Sequence, residues 1–432
     1  MDGISNRPNE PSTPSAASRW LRAAGFAGGA AALILAMYLL HPLLAGHRLP
    51  IGPDGVVYPW LARAADTGGF GAGPGAGPGV PGLTLTLSGI LGTDALATVT
   101  LLGPLLAAAV GLAAAGLVEA ALGPKLDRAL LAVLLTGAFT AYLAGGWLAN
   151  VAMVAIFLSA VAALAIAGRS WRAVALASAL LGAAGLSHRV FFALGLLILV
   201  PVVMARIPDA LTVRRAGGRW RDTSAGRMAA AVGIGAGLGA AGLAWLAAGA
   251  RIPGDTSQDG FFRRLGMRAF LIDRYRERFW GDLSRATIPV ITGVGLAVAG
   301  GRPAAQASVG RTDDRGDRFL VALWLSWAAV TAGGVALLAV TAWGPPNRLL
   351  QFAFFVPIGG AVGAAALLRR GGGHRAITVV AVAVFVAVSM IGWFRQSPAF
   401  TASELRAVAR ARGAIDALPA GTPLVFVVDT DE

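Results

Sequence analysis

The chain has 432 residues, of which 56% are apolar and only 13% charged, against roughly a quarter charged in a soluble protein of this size. A mean hydropathy of +0.68 and the absence of cysteine exclude an ordinary soluble domain, a disulfide framework and thiol chemistry. The net charge of +14 lies in loops between apolar runs, which suits a membrane surface better than nucleic acid. Lys125 is the only lysine; with the load of Ala and Gly, this reads as the composition of a GC-rich genome.

Residues 1–22 are expected to form a disordered cytoplasmic tail, because 1–18 are rich in Pro, Ser and Asn. The apolar run that starts near Ala23 is too long for a secretory signal. From there to residue 394 the pattern predicts an all-α, multi-pass cell-membrane domain of about 11 transmembrane helices. The expected spans are about 23–45, 95–120, 129–146, 149–167, 173–187, 190–205, 228–249, 286–300, 319–342, 349–368 and 376–394.

Loop charge sets the expected orientation. With the N-terminus in the cytoplasm, alternate loops place 20 basic residues inside and 16 outside. The margin is thin because one outer loop, 250–285, carries eight Arg. The loops 206–227 and 369–375 decide the assignment.

The first outer loop, 46–94, opens with the polar stretch IGPDGVVYPWLARAAD at 51–66. Val56, Val57, Trp60, Leu61 and Ala64 recur at helical spacing, so a short helix lying at the membrane interface is expected, anchored by Trp60. Residues 68–82, GGFGAGPGAGPGVPG, are expected to be a flexible loop, since Gly and Pro disfavour any regular element. In the seventh span, GIGAGLGAAG offers two overlapping frames of small residues for close helix packing, Gly233 with Gly237 and Gly235 with Gly239. After the last span, 395–432 is expected outside the cytoplasm. Residues 402–416 read as a helix and 423–429 as a strand, a small α/β segment cut short at Glu432.

Several polar residues converge on the outer side in this topology. Asp54, in a Pro-Asp-Gly turn, is a carboxylate that partial burial would tune towards general-base work; the plainer reading is that it bonds its own backbone in a tight turn. Tyr58, Trp60, Arg63 and Asp66 follow it on the short helix and are candidate substrate contacts. His188 and Arg189, in LSHRV, sit at a near-loopless turn where an Arg can bind a phosphate. Asn347 and Arg348, after Pro345 and Pro346, open the tenth span; Arg348 either grips a phosphate or reaches to the headgroups. Arg263 and Arg264 belong to an amphipathic, aromatic segment, 261–285, which is either a surface helix on anionic lipid or a lid over the site. No metal-ligand spacing is present, and no cofactor is indicated.

Taken together, the cytoplasmic N-terminus, the acid in a long first outer loop, the many spans and the outer C-terminal segment resemble the GT-C membrane glycosyltransferases. The motifs that carry the resemblance are IGPDGVVYPWLAR, LSHR and PPNR. The resemblance implies transfer of a sugar from a polyprenyl-phosphate carrier to an acceptor of the cell envelope, with inversion. It makes Asp54 the catalytic acid residue of the loop, acting as general base, and Arg189 and Arg348 the candidates for the carrier phosphate. Many members pair two acids in that loop, whereas here the next acid after Asp54 is Asp66, twelve residues on. The implied partners are a lipid-linked sugar donor and membrane lipids, not nucleic acid. The alternatives are a transporter or flippase of lipid-linked sugars, which would want ionisable residues within several spans, and a non-catalytic scaffold for envelope assembly.

Overall fold

The computed structural model describes residues 16–46, 57–68, 78–144, 147–249, 286–301, 314–341 and 353–395, with Arg410. All regular structure among them is helical. In chain order the helices are α1 (Ala16–Ala45), α2 (Val57–Gly68), α3 (Gly79–Leu91), α4 (Ala95–Leu122), α5 (Leu126–Phe139), α6 (Ala141–Ala144), α7 (Leu148–Ala167) and α8 (Trp171–Ser187). They continue with α9 (Arg189–Met204), α10 (Ile207–Arg215), α11 (Ser224–Gly249), α12 (Ala286–Gly301), α13 (Asp314–Thr341), α14 (Phe355–Leu368) and α15 (Gly372–Phe394).

Five helices among the described residues are long and apolar enough to cross a membrane: α1 over Ala24–Ala45, α4, α7, α11 over Ser224–Trp245, and α15. With them, the described residues make an all-helical membrane protein. Five further expected spans fall on shorter apolar stretches: α8, α9 over Phe192–Met204, α12, α13 over Arg318–Gly333, and α14. At 16 residues, α9 is about 24 Å long, short of a hydrocarbon core of roughly 30 Å. The expected span at 129–146 is divided into α5 and the four-residue α6, at a break where the Thr140 hydroxyl donates to the Thr136 carbonyl. The expected α/β segment at 402–429 lies outside the described residues, Arg410 excepted.

Capping chemistry sets several of the boundaries. Asp94 caps α4 by accepting the Ala97 N–H at 2.7 Å, and Ser170 caps α8 by accepting that of Arg172 at 3.2 Å. Gly92 ends α3 in the left-handed conformation, φ 64°, which an L side chain rarely adopts. One expectation is overturned here. Residues 79–82 were read into a loop, yet they form the first turn of α3, including Pro81. The first turn has no intrahelical partner for its N–H groups, so a proline costs nothing there.

The core is built around α4 and α7, which are mostly buried, while α1, α11 and α15 each keep a broad apolar face exposed. Leu176, Leu197, Ile234, Leu238, Trp245, Ile291, Leu325 and Ile377 stand on that exterior, as lipid-facing side chains do. Helices that share lipid as solvent gain little from apolar burial, so close packing and interhelical hydrogen bonds decide association. Among the described residues, the α8–α11 contact is the most extensive. It uses one of the two small-residue frames in α11: Gly239 lies against Gly185 and Phe192, whereas Gly233 and Gly237 face open space. Buried and half-buried side chains then pin helices to partner backbones. Tyr38 donates to Gly137 O, Trp393 to Tyr38 O, Ser326 to Ile198 O and Trp324 to Phe355 O. Each such link contributes on the order of 0.6 kcal/mol within a bilayer.

The helices run alternately between two ends. At the first, the α4–α5, α7–α8 and α14–α15 turns meet the start of α11. Asp127 takes a two-pronged ion pair from Arg369 there, and Arg227 donates to Gly168 O at 3.1 Å while lying over the Trp171 ring. Lys125, Arg128, Arg169, Arg172, Arg219, Arg221, Arg227, Arg369, Arg370 and Arg375 all belong to this basic end. At the second end lie the close of α1 and α15, the starts of α4 and α7, and the α8–α9 turn. Pro42, Gly103, Ala144, Leu148 and Trp393 enclose one small cavity there.

Candidate functional site

The candidate site is built on α2, which crosses the second end. Its sequence, VYPWLARAADTG, is divided by burial: Tyr58, Pro59, Leu61 and Ala62 face the protein, while Val57, Trp60, Arg63 and Asp66 are exposed. Pro59 sits in the first turn, where no N–H is needed. The apolar residues noted at helical spacing are therefore divided between the two faces. Leu61 packs inward, and Val57 and Trp60 stay outside, Trp60 at 54% exposure, where an interfacial anchor would be.

Tyr58 fixes the position of this helix. Its hydroxyl accepts the backbone N–H of Ala149 at 3.2 Å, across 91 residues of sequence. Ala149 lies in the first turn of α7, whose N-cap residue, Trp147, does not cap the helix with its side chain. The Tyr58 hydroxyl thus supplies what a Ser or Asp N-cap would supply. Beside it, Asn150 is buried in the same turn.

A second contact ties the loop to the α8–α9 turn. The start of α3 presses on the end of α8 so closely that a Cβ on Gly79 would lie 2.7 Å from Ser187 Oγ and 2.8 Å from its Cα. Only glycine fits that approach. The next residue, His188, is half-buried and extended; its N–H donates to Ala184 O and its carbonyl accepts from Phe192 N, so it closes α8 and opens α9. Arg189 is the first residue of α9. The structure therefore brings α2, with Trp60, Arg63 and Asp66, and the His188–Arg189 turn to one end of the molecule.

The other candidates, Asp54, Arg263, Arg264, Asn347 and Arg348, lie outside the described residues. Among the described residues no group of three His, Asp or Glu is clustered to hold a metal ion. Two features of this end were missed in the sequence. Asp94 is a further carboxylate, committed to capping α4, with Ser88, Thr93 and Thr98 joined by hydroxyl bonds of 2.8 and 2.9 Å beside it. The signal was available, since Thr-Asp directly ahead of an apolar run is a helix-start signature. His41 is buried edge-on to Trp393 and Phe394, joining α1 to α15. No sequence spacing announces that contact.

The class that fold and site define is a helical membrane protein with a polar, helix-bearing loop folded over one end. Comparison with protein families, with characterised proteins and with solved structures gives no match.

Proposed function

We propose that the chain is a membrane glycosyltransferase that moves a sugar from a polyprenyl-phosphate carrier to an envelope acceptor, with inversion. The observation that carries the reading is the anchoring of α2 by Tyr58, together with the contact of Gly79 on Ser187. Asp54 lies three residues ahead of Val57 in the sequence, and α2 is held at the same end as the turn bearing His188 and Arg189.

In this mechanism Asp54 removes the proton of the acceptor hydroxyl as the oxygen attacks the anomeric carbon. The bond to the carrier phosphate breaks on the opposite face, and the departing phosphate gains charge. Arg189 and Arg348 stabilise that charge in a site of low dielectric, a contribution of roughly 3 kcal/mol for one well-placed donor. Trp60 anchors the loop at the interface.

The topology that goes with this reading has eleven spans, with α5–α6 and the shorter apolar helices crossing as well. The N-terminus and the basic end then face the cytoplasm, as loop charge favours. The direct test is transfer of labelled sugar from a polyprenyl-phosphate donor by the purified chain. Transfer that is lost in Asp54→Asn supports the reading; full transfer in that variant removes Asp54 as the base.

One observation favours a transporter instead. Glu119 is buried in α4 with its Oε1 unpartnered, and ionisable groups within spans commonly mark transport paths. Flux of a lipid-linked sugar in proteoliposomes without bond making, lost in Glu119→Gln, would establish that alternative.

A further inference from the structure

An open groove of about 630 Å³ lies at the basic end, away from α2, between α1, α5 and α14. Its described lining is Phe26, Lys125, Leu126, Asp127, Leu130 and Arg369. Two chemistries meet in it. Phe26, Leu126 and Leu130 form an apolar wall on which Phe26 is 51% and Leu126 41% exposed. Above the wall stand cations from two separate elements, Lys125 from the α4–α5 turn and Arg369 from the end of α14.

The ion pair shapes this rim rather than cancelling it. Arg369 gives Nε to Asp127 Oδ2 at 2.8 Å and Nη2 to Oδ1 at 2.7 Å, which uses one edge of the guanidinium and leaves Nη1 outside the pair. Asp127 holds that plane in place. With one carboxylate set against Lys125 and Arg369, the lining keeps a net positive charge over an apolar floor. A free anion would have no use for the floor, and a neutral lipid would leave the surplus charge unmatched.

We propose that this groove binds one anionic phospholipid of the leaflet at the basic end, its phosphate between Lys125 and Arg369 and an acyl chain along Phe26 and Leu130. Basic pockets between membrane helices bind acidic headgroups by this combination of charge and apolar contact. The site is independent of the transferase reading. It rests only on the chain being embedded in a bilayer.

The test uses the full chain in neutral detergent, freed of lipid, titrated separately with phosphatidylglycerol, phosphatidylcholine and inorganic phosphate. Thermal unfolding and lipid retained in native mass spectrometry are the readouts. Phosphatidylglycerol is expected to bind saturably and raise the unfolding temperature, while the other two do neither. Lys125→Gln is expected to weaken phosphatidylglycerol by about five-fold. Phe26→Ala is expected to weaken it with all charges intact. Both side chains are exposed, so the unliganded variants should unfold at the parent temperature. Equal binding of phosphatidylcholine, equal protection by inorganic phosphate, or unchanged phosphatidylglycerol affinity in both variants would overturn the proposal.

Discussion

The hydroxyl of Tyr58 accepts the Ala149 N–H at 3.2 Å, and this bond makes a loop helix part of the membrane domain. A helix of 12 residues is too short to be stable alone in water, so α2 owes its place to packing by Tyr58, Leu61 and Ala62 and to this bond. Tyr58→Phe keeps the packing and orphans a buried amide. It should lower stability by about 1–2 kcal/mol and speed exchange of the Ala149 amide. Tyr58→Ala should cost more, roughly 3–5 kcal/mol, because it also leaves a cavity. Thermal unfolding and hydrogen exchange at Ala149 read both effects.

Gly185 and Gly237 should respond oppositely to the same substitution. A Cβ on Gly185 would lie 2.9 Å from the Gly239 Cα, so Gly185→Ala must push α8 and α11 apart, at a cost of roughly 1–3 kcal/mol. A Cβ on Gly237 meets nothing within 4 Å, and Gly237→Ala should gain up to about 1 kcal/mol of helix propensity. Unfolding of the two single variants side by side checks this.

The Asp127–Arg369 pair predicts an acid-side loss of stability. Burial pushes the Asp127 carboxyl up, but the hydrogen bonds and charge of Arg369, with help from Arg128, outweigh it and hold the group below its ordinary value of 3.8. Because the folded value is the lower one, the contribution is full above the unfolded value and fades as pH falls through the folded one. The two side chains are 41% and 33% exposed, so the effect should stay below about 1 kcal/mol. Melting curves of the parent and Asp127→Asn should differ near neutral pH and converge as the pH falls through the lowered folded value. A constant difference across that range would contradict the assignment.

Glu119→Gln separates the two functional readings. The substitution keeps the shape of the side chain and removes a charge that burial penalises. Under the transferase reading, stability should hold or rise and sugar transfer should stay within about two-fold. Assays of transfer and of proteoliposome flux on the same preparation decide between the readings.

Helices were legible in the sequence because apolar runs, caps and helix formers agree along most of the chain. The α2 helix was read from the spacing of Val57, Trp60 and Leu61, and it is there. Its buried face was not legible, since Tyr58 turns inward to serve an amide that no local pattern identifies. The start of α3 was misread because Gly and Pro were weighed as breakers, although Pro81 falls in a first turn and Gly79 is demanded by Ser187. Likewise, both small-residue frames of α11 look alike in sequence, and only the position of α8 selects Gly235 and Gly239. Of the candidate site, proximity along the chain was readable, and contact between distant turns was not.

The central claim is that Asp54 and Arg348 face one compartment, opposite the basic end. Since the chain has no cysteine, single cysteines at positions 54, 348 and 370 can be labelled without background. In intact cells, a membrane-impermeant maleimide should react at 54 and 348, and at 370 only after permeabilisation. Labelling that puts 54 and 348 on opposite sides of the membrane would contradict the account.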